Sequence, residues 1–131
     1  MDDMYREMIL DHAKSPRNHG VLDPADVDYE ANNPLCGDHL HLTLRLDESG
    51  RVTTVGWEGD GCAISQASAS LLGEEILGKT VDEIRGFSKE TILDMLGIPL
   101  TPNRMKCALL SLEVLKIGLY GREAWKDNDE D

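Results

Sequence analysis

The sequence predicts an α+β domain in which an antiparallel hairpin is framed by helices. Leu40, Leu42, Leu44 and Leu46 alternate with His39, His41, Thr43 and Arg45, which is the two-residue period of a half-buried strand. Asp47-Glu48-Ser49-Gly50 supplies a tight turn, and Arg51 to Glu58, with Val52, Val55 and Trp57, reads as the returning strand. Further on, Met105, Ala108, Leu109, Leu112, Leu115 and Leu119 recur at three- and four-residue intervals, the apolar face of a long helix. A chain of 131 residues can bury one proper core. Residues 1–121 are therefore expected to form a single domain, and the acidic stretch 122–131 a flexible tail.

Taken in order, residues 3–14 predict an amphipathic helix with Asp2 or Asp3 as cap, Tyr5, Met8, Ile9 and His12 on one face, and Ser15-Pro16 as its end. From Pro16 to about Tyr29 the residues are turn-forming and lack a sustained period, so this part reads as a surface connection. His12 and His19, isolated near a helix end, read as hydrogen-bonded or solvated groups rather than ligands. After the hairpin, a helix is predicted from about Ile64 to Leu77, stopped by Gly78. Thr80 opens a short helix, with Glu83 placed for a reciprocal capping box. Ser88 opens another over Lys89 to Leu96, where Thr91 lacks the reciprocal acid. Thr101 caps the last helix and Pro102 takes its first position.

Lys plus Arg number 13 against 25 Asp plus Glu, a formal charge of −12. Such a surface repels nucleic acid and anionic membranes and suits a basic partner or a bound cation. The first residues carry acid where a signal peptide needs a basic start, and no segment approaches about 18 apolar residues. The expectation is a cytoplasmic protein. Three cysteines, Cys36, Cys62 and Cys107, are an odd number at wide spacing, which suits a reducing compartment better than a disulfide framework.

The cysteines have distinctive settings. Cys62 follows Gly59-Asp60-Gly61 and precedes a run of small residues, Ala63, Ala67 and Ala69, so its thiol is expected at a helix N-terminus, where backbone amides favour negative charge. Cys107 falls in the first or second turn of the last helix. Cys36 and Cys62 flank the hairpin, whose adjacent outer ends bring them together. Asp38 lies two residues past Cys36 across Gly37. Three sulfurs and one carboxylate, Cys36, Asp38, Cys62 and Cys107, form a tetrahedral set suited to zinc, or to iron with inorganic sulfide.

The segments YREMILDHAKSPRNHG at 5–20, NNPLCGD at 32–38, GDGCAISQASAS at 59–70 and RMKCALL at 104–110 resemble the iron-sulfur cluster scaffold family, the IscU and NifU N-terminal group with its SufU branch. The resemblance spans nearly the whole chain and implies a small antiparallel sheet with helices packed on one side. It implies that a cysteine desulfurase delivers sulfur, that a transient [2Fe-2S] cluster forms on Cys36, Cys62 and Cys107, and that the cluster passes to recipient apo-proteins. Two departures qualify it. The residue before the third cysteine is Lys106, as in the SufU branch, where zinc is held by three cysteines and the aspartate; IscU scaffolds usually carry histidine there. Yet the insertion of the SufU branch between the second and third cysteines is missing. The alternative activity is thus a zinc-dependent sulfurtransferase relaying persulfide sulfur. Ile98-Pro99-Leu100-Thr101-Pro102-Asn103 does not reproduce the Leu-Pro-Pro-Val-Lys segment that meets the dedicated Hsp70 chaperone, so that partnership is not implied. Cys107, beside Lys106 and expected to be accessible, is the candidate first sulfur acceptor.

Overall fold

The computed structural model describes residues 2–33 and 37–121. The expectations for Cys36, for the side chains of Asp2, Asp3 and Tyr5, and for the 122–131 tail lie outside the described residues. In chain order the elements are α1 (Asp2–Lys14), β1 (Val27–Asn33), β2 (Asp38–Leu46), β3 (Val52–Asp60), α2 (Ala63–Ile76), α3 (Val81–Ile84), α4 (Lys89–Leu96) and α5 (Pro102–Tyr120).

The three strands form one antiparallel sheet in the order β1-β2-β3. Alternation sorts its two faces. Leu40, Leu42 and Leu44 stand beside Gly59, Trp57 and Val55 of β3 and beside Ala31, Tyr29 and Val27 of β1. On this face α2 and α5 pack, with α1 and α4 outside them. Trp57, Leu44, Leu112 and Leu115 are fully buried there. Burying such side chains contributes roughly 1.5–3 kcal/mol each, so this layer is the main source of stability.

The outer face is covered at one end by the chain from Asn18 to Asp26. The Gly20 amide donates to the Trp57 carbonyl, and the Trp57 amide donates to the Asn18 carbonyl. Further along, the Leu22 amide donates to Thr43 Oγ1, which itself donates to the Gly56 carbonyl. Gly56 is required at this crossing, because a Cβ there would lie 2.2 Å from the Gly20 carbonyl oxygen.

β1 corrects the sequence reading, which left residues 16–29 as a connection and gave the sheet only its hairpin. Its alternation is carried by Val27, Tyr29 and Ala31 against Asp28, Glu30 and Asn32. Acids and asparagine have low strand propensity, and an edge strand takes its stability from its neighbour's ladder. The helix caps follow expectation at Thr80, where the capping box with Glu83 forms, and at Thr101, which accepts from the Arg104 amide. At Ser88 the missing acid is replaced by the Thr91 hydroxyl, which accepts from the Ser88 amide at 3.1 Å.

α1 is tied to α2 through buried His12. Its Nδ1 is 2.7 Å from Ser70 Oγ, an oxygen that also accepts the Arg17 backbone N–H at 2.9 Å. The hydroxyl proton is thereby free to point at Nδ1, an arrangement that suits the neutral ring. Burial, then the Arg17 charge, hold the His12 pKa below its ordinary value of 6.5, against the pull of Glu74 and Asp11. Between the folded value and 6.5 the unfolded chain binds more protons, so stability rises with pH in that window. We expect the melting temperature to hold above pH 7 and to fall as pH drops from 6.5 through the folded pKa, with the slope lost in His12→Gln. A thermal melt series from pH 7.5 to 5 reads this directly; an identical slope in the variant would assign it elsewhere.

Candidate metal and sulfur site

The β2–β3 register pairs His39 with Asp60 and so brings Asp38 against the Gly61-Cys62 turn. Asp38 has the same strand parity as Leu40, hence it faces the helices and is 1% exposed. Its Oδ1 accepts the Cys62 backbone N–H at 3.1 Å. Its Oδ2 is buried and has no hydrogen-bond partner among the described residues. Gly61 makes this approach possible: it has φ +150, and a Cβ on it would fall 2.1 Å from Asp38 Oδ1.

Cys62 is the N-cap residue of α2, in extended conformation with φ −73 and ψ 169, and its side chain caps no amide. It is partly exposed. Cys107 reaches the same place from α5, whose early turns are clasped to α2 by a buried hydroxyl pair. Ser68 Oγ donates to the Ala108 carbonyl at 2.6 Å and lies 2.8 Å from Ser111 Oγ. One ligand atom from each of Asp38, Cys62 and Cys107 lies within 4.8 Å of the others.

The structure thus brings three of the four expected groups together; Cys36 lies outside the described residues. One premise is corrected. Cys107 lies in the second turn of α5, as expected, but it is 3% exposed rather than accessible. At the sixth helical position it turns toward α2 and the core, whereas Lys106 beside it is exposed. The predicted apolar face did not carry this information: at about 100° per residue Cys107 stands on a different side of α5 from Ala108 and Leu112, and burial extends round the helix through Cys107, Leu110, Ser111 and Val114. His39, although it adjoins Asp38 in sequence, stands on the opposite face of the sheet, where it meets Asn32 and Glu30.

The donor set fits a soft or borderline cation. Zinc bonded to thiolate and carboxylate at about 2.0–2.3 Å sets its ligand atoms roughly 3.5–3.8 Å apart, within reach of atoms already gathered this closely. A buried carboxylate oxygen with no donor is costly unless a cation or proton meets it. Both observations point to metal.

Comparison with known proteins agrees. Residues 4–127 match the NifU-like N terminal domain family, and the chain belongs to that family. A zinc-dependent sulfurtransferase SufU of Bacillus subtilis (strain 168) is 38% identical, over 94% of this chain and 94% of the relative. That alignment spans 141 residues, more than this chain possesses, so the relative holds residues that this chain lacks. An iron-sulfur cluster assembly scaffold protein IscU of Thermotoga maritima is 39% identical, over 88% of this chain and 92% of the relative. A crystal structure described as a candidate iron-sulfur cluster assembly scaffold for the SUF system, from Fervidobacterium islandicum AW-1, superposes with a TM-score of 0.74 at 32% identity, covering 86% of this chain and 94% of the other. The α+β fold, a three-stranded antiparallel sheet with helices on one side, is that of these proteins. No helix among the described residues is long and apolar enough to cross a membrane.

Proposed function

We propose that this protein is an iron-sulfur cluster assembly scaffold. It accepts sulfur from a cysteine desulfurase, takes up iron, holds a [2Fe-2S] cluster as cargo on Cys36, Cys62 and Cys107, and passes it to recipient apo-proteins. The observation that carries this reading is the convergence of Asp38, Cys62 and Cys107 from three separate elements onto one point. Asp38, as the only oxygen donor among thiolates, is the most readily exchanged ligand, and exchange is what release of a cargo requires. Zinc would rest on the same four residues in the absence of iron.

Lys106 and the SufU relative favour a second reading, a zinc-dependent sulfurtransferase that relays persulfide sulfur. In both readings a protein thiolate attacks the outer sulfur of the desulfurase persulfide. The S–S bond breaks, the desulfurase thiolate leaves, and the sulfur remains on this chain with no net oxidation. Anaerobic purification followed by metal and acid-labile sulfide analysis separates the readings. Iron with sulfide is the result expected here; zinc alone, with stimulation of the desulfurase, would select the transferase.

Exposure supports Cys62, of the two described thiols, as the one that meets the persulfide first. Cys62 is partly exposed at the α2 N-terminus and Cys107 is buried, so Cys62 is expected to gain sulfur before Cys107. Peptide mapping by mass spectrometry, after brief reaction with desulfurase and cysteine, gives the order. Sulfur on Cys107 at the earliest times, undiminished in Cys62→Ser, would restore Cys107 as the first acceptor.

A further inference from the structure

The sheet's outer face, opposite the thiol site, is left open at its Asp60 end and is lined there by histidines and acids. His39 and His41 stand two residues apart on β2 and therefore share this face. In register, Asp60 lies opposite His39 and Glu58 opposite His41. These four residues, with His19 from the covering loop and Gly59, line an open cavity of about 370 Å³ that no lysine or arginine among the described residues borders. The imidazoles are also braced from the other side. His41 Nε2 is 2.7 Å from Asp28 Oδ1, and His39 Nδ1 is 2.6 Å from Asn32 Oδ1 with its Nε2 3.2 Å from Glu30 Oε1.

We propose that this face is a second divalent-cation site, with His39 and His41 as nitrogen ligands and Glu58 or Asp60 as the carboxylate, for a borderline cation such as zinc or ferrous iron. Three features support it. Imidazole with carboxylate is the donor set those ions prefer, in contrast to the thiolates on the helix face. A carboxylate can only accept, so the Asp28 contact fixes a proton on His41 Nε2 and leaves Nδ1 as the lone-pair nitrogen of the neutral ring. That pairing of a carboxylate with the far ring nitrogen is what orients ligand histidines at metal centres. Finally, Glu30, Asp28, Glu58 and Asp60 concentrate negative charge where no lysine or arginine among the described residues lines the cavity, which favours a cation over an anionic ligand.

The groups are spread more widely than Asp38, Cys62 and Cys107, the one set among the described residues gathered within 4.8 Å. Binding therefore requires the His39 ring to leave Glu30, and the site is the weaker of the two. It is also independent of the thiols: a failure of the scaffold reading leaves it intact, because its ligands belong to the other sheet face.

The test titrates zinc-loaded protein with further Zn²⁺ while long-range ¹H–¹⁵N spectra record the histidine rings. One further saturable equivalent is expected, shifting the ring nitrogens of His39 and His41 and leaving His12 unmoved. His39→Gln and His41→Gln should each weaken that step by at least about 10-fold, with unchanged melting temperature and an unchanged first equivalent. Cys62→Ser should keep the second step. The proposal is overturned if added zinc moves no histidine ring or only His12. It is equally overturned if the double variant binds the second equivalent as tightly, or if 0.5 M sodium chloride abolishes the step, which would mark it as counterion condensation.

Discussion

Gly61→Ala is expected to reduce metal affinity by about 10-fold or more, the loss typical of disturbing a group that supports a metal ligand, and to destabilise the metal-free protein by roughly 1–3 kcal/mol. The added Cβ would lie 2.1 Å from Asp38 Oδ1 and 2.8 Å from its Cγ, well inside contact distance. Asp38 is 1% exposed and its Oδ1 is held by the Cys62 amide, so the carboxylate cannot swing aside without leaving the site. A double-mutant cycle makes the cause testable. If the clash is with the carboxylate, Gly61→Ala should cost at least about 1 kcal/mol less in an Asp38→Ala background. A residual cost remains, because φ +150 is unfavourable for any residue with a side chain. Equal costs in the two backgrounds, read from denaturant melts of the metal-free proteins, would place the strain in the backbone alone and remove Asp38 from the explanation.

The hairpin, the five helices and the closeness of Asp38 to Cys62 were legible because each rests on local pattern. Leucine alternation sets β2, capping chemistry sets Thr80 and Thr101, and antiparallel pairing brings the outer ends of a hairpin together. What escaped was non-local. β1 is written mostly in Asp, Glu and Asn, and only the β2 ladder makes it a strand. The burial of Cys107 depends on which side of α5 meets α2, a fact fixed by the Ser68–Ser111 clasp rather than by the cysteine's neighbours. The placement of His39 away from the thiols was available from strand parity, since consecutive residues of β2 point to opposite faces. The histidine-lined outer face was written in the same alternation, but its second wall, Glu58 and Asp60, becomes visible only once the register is known.

Asp38 answers two demands with its two oxygens, and two substitutions separate them. Oδ1 accepts the Cys62 amide and so holds the β3–α2 turn, while buried Oδ2 has no donor among the described residues. Asp38→Asn keeps an acceptor for the Cys62 amide and replaces the second oxygen by an NH₂, which cannot bind a cation. It also removes a buried carboxylate whose Oδ2 has no partner among the described residues when metal is absent. We therefore expect Asn to leave the metal-free melting temperature unchanged or raised, yet to weaken zinc by about 10-fold or more, since it deletes a ligand where even the loss of a ligand's supporting partner costs that much. Asp38→Ala removes both oxygens. It should weaken zinc similarly and also lose the hydrogen bond to the turn, about 1 kcal/mol, which corresponds to a fall of roughly 3–5 °C in the metal-free melting temperature. Competition with a chromophoric chelator gives the affinities, and calorimetric melts of metal-free protein give the stabilities. If Asn binds zinc as wild type does while Ala melts lower, Asp38 is a turn residue, and the fourth ligand must come from a group other than the carboxylate.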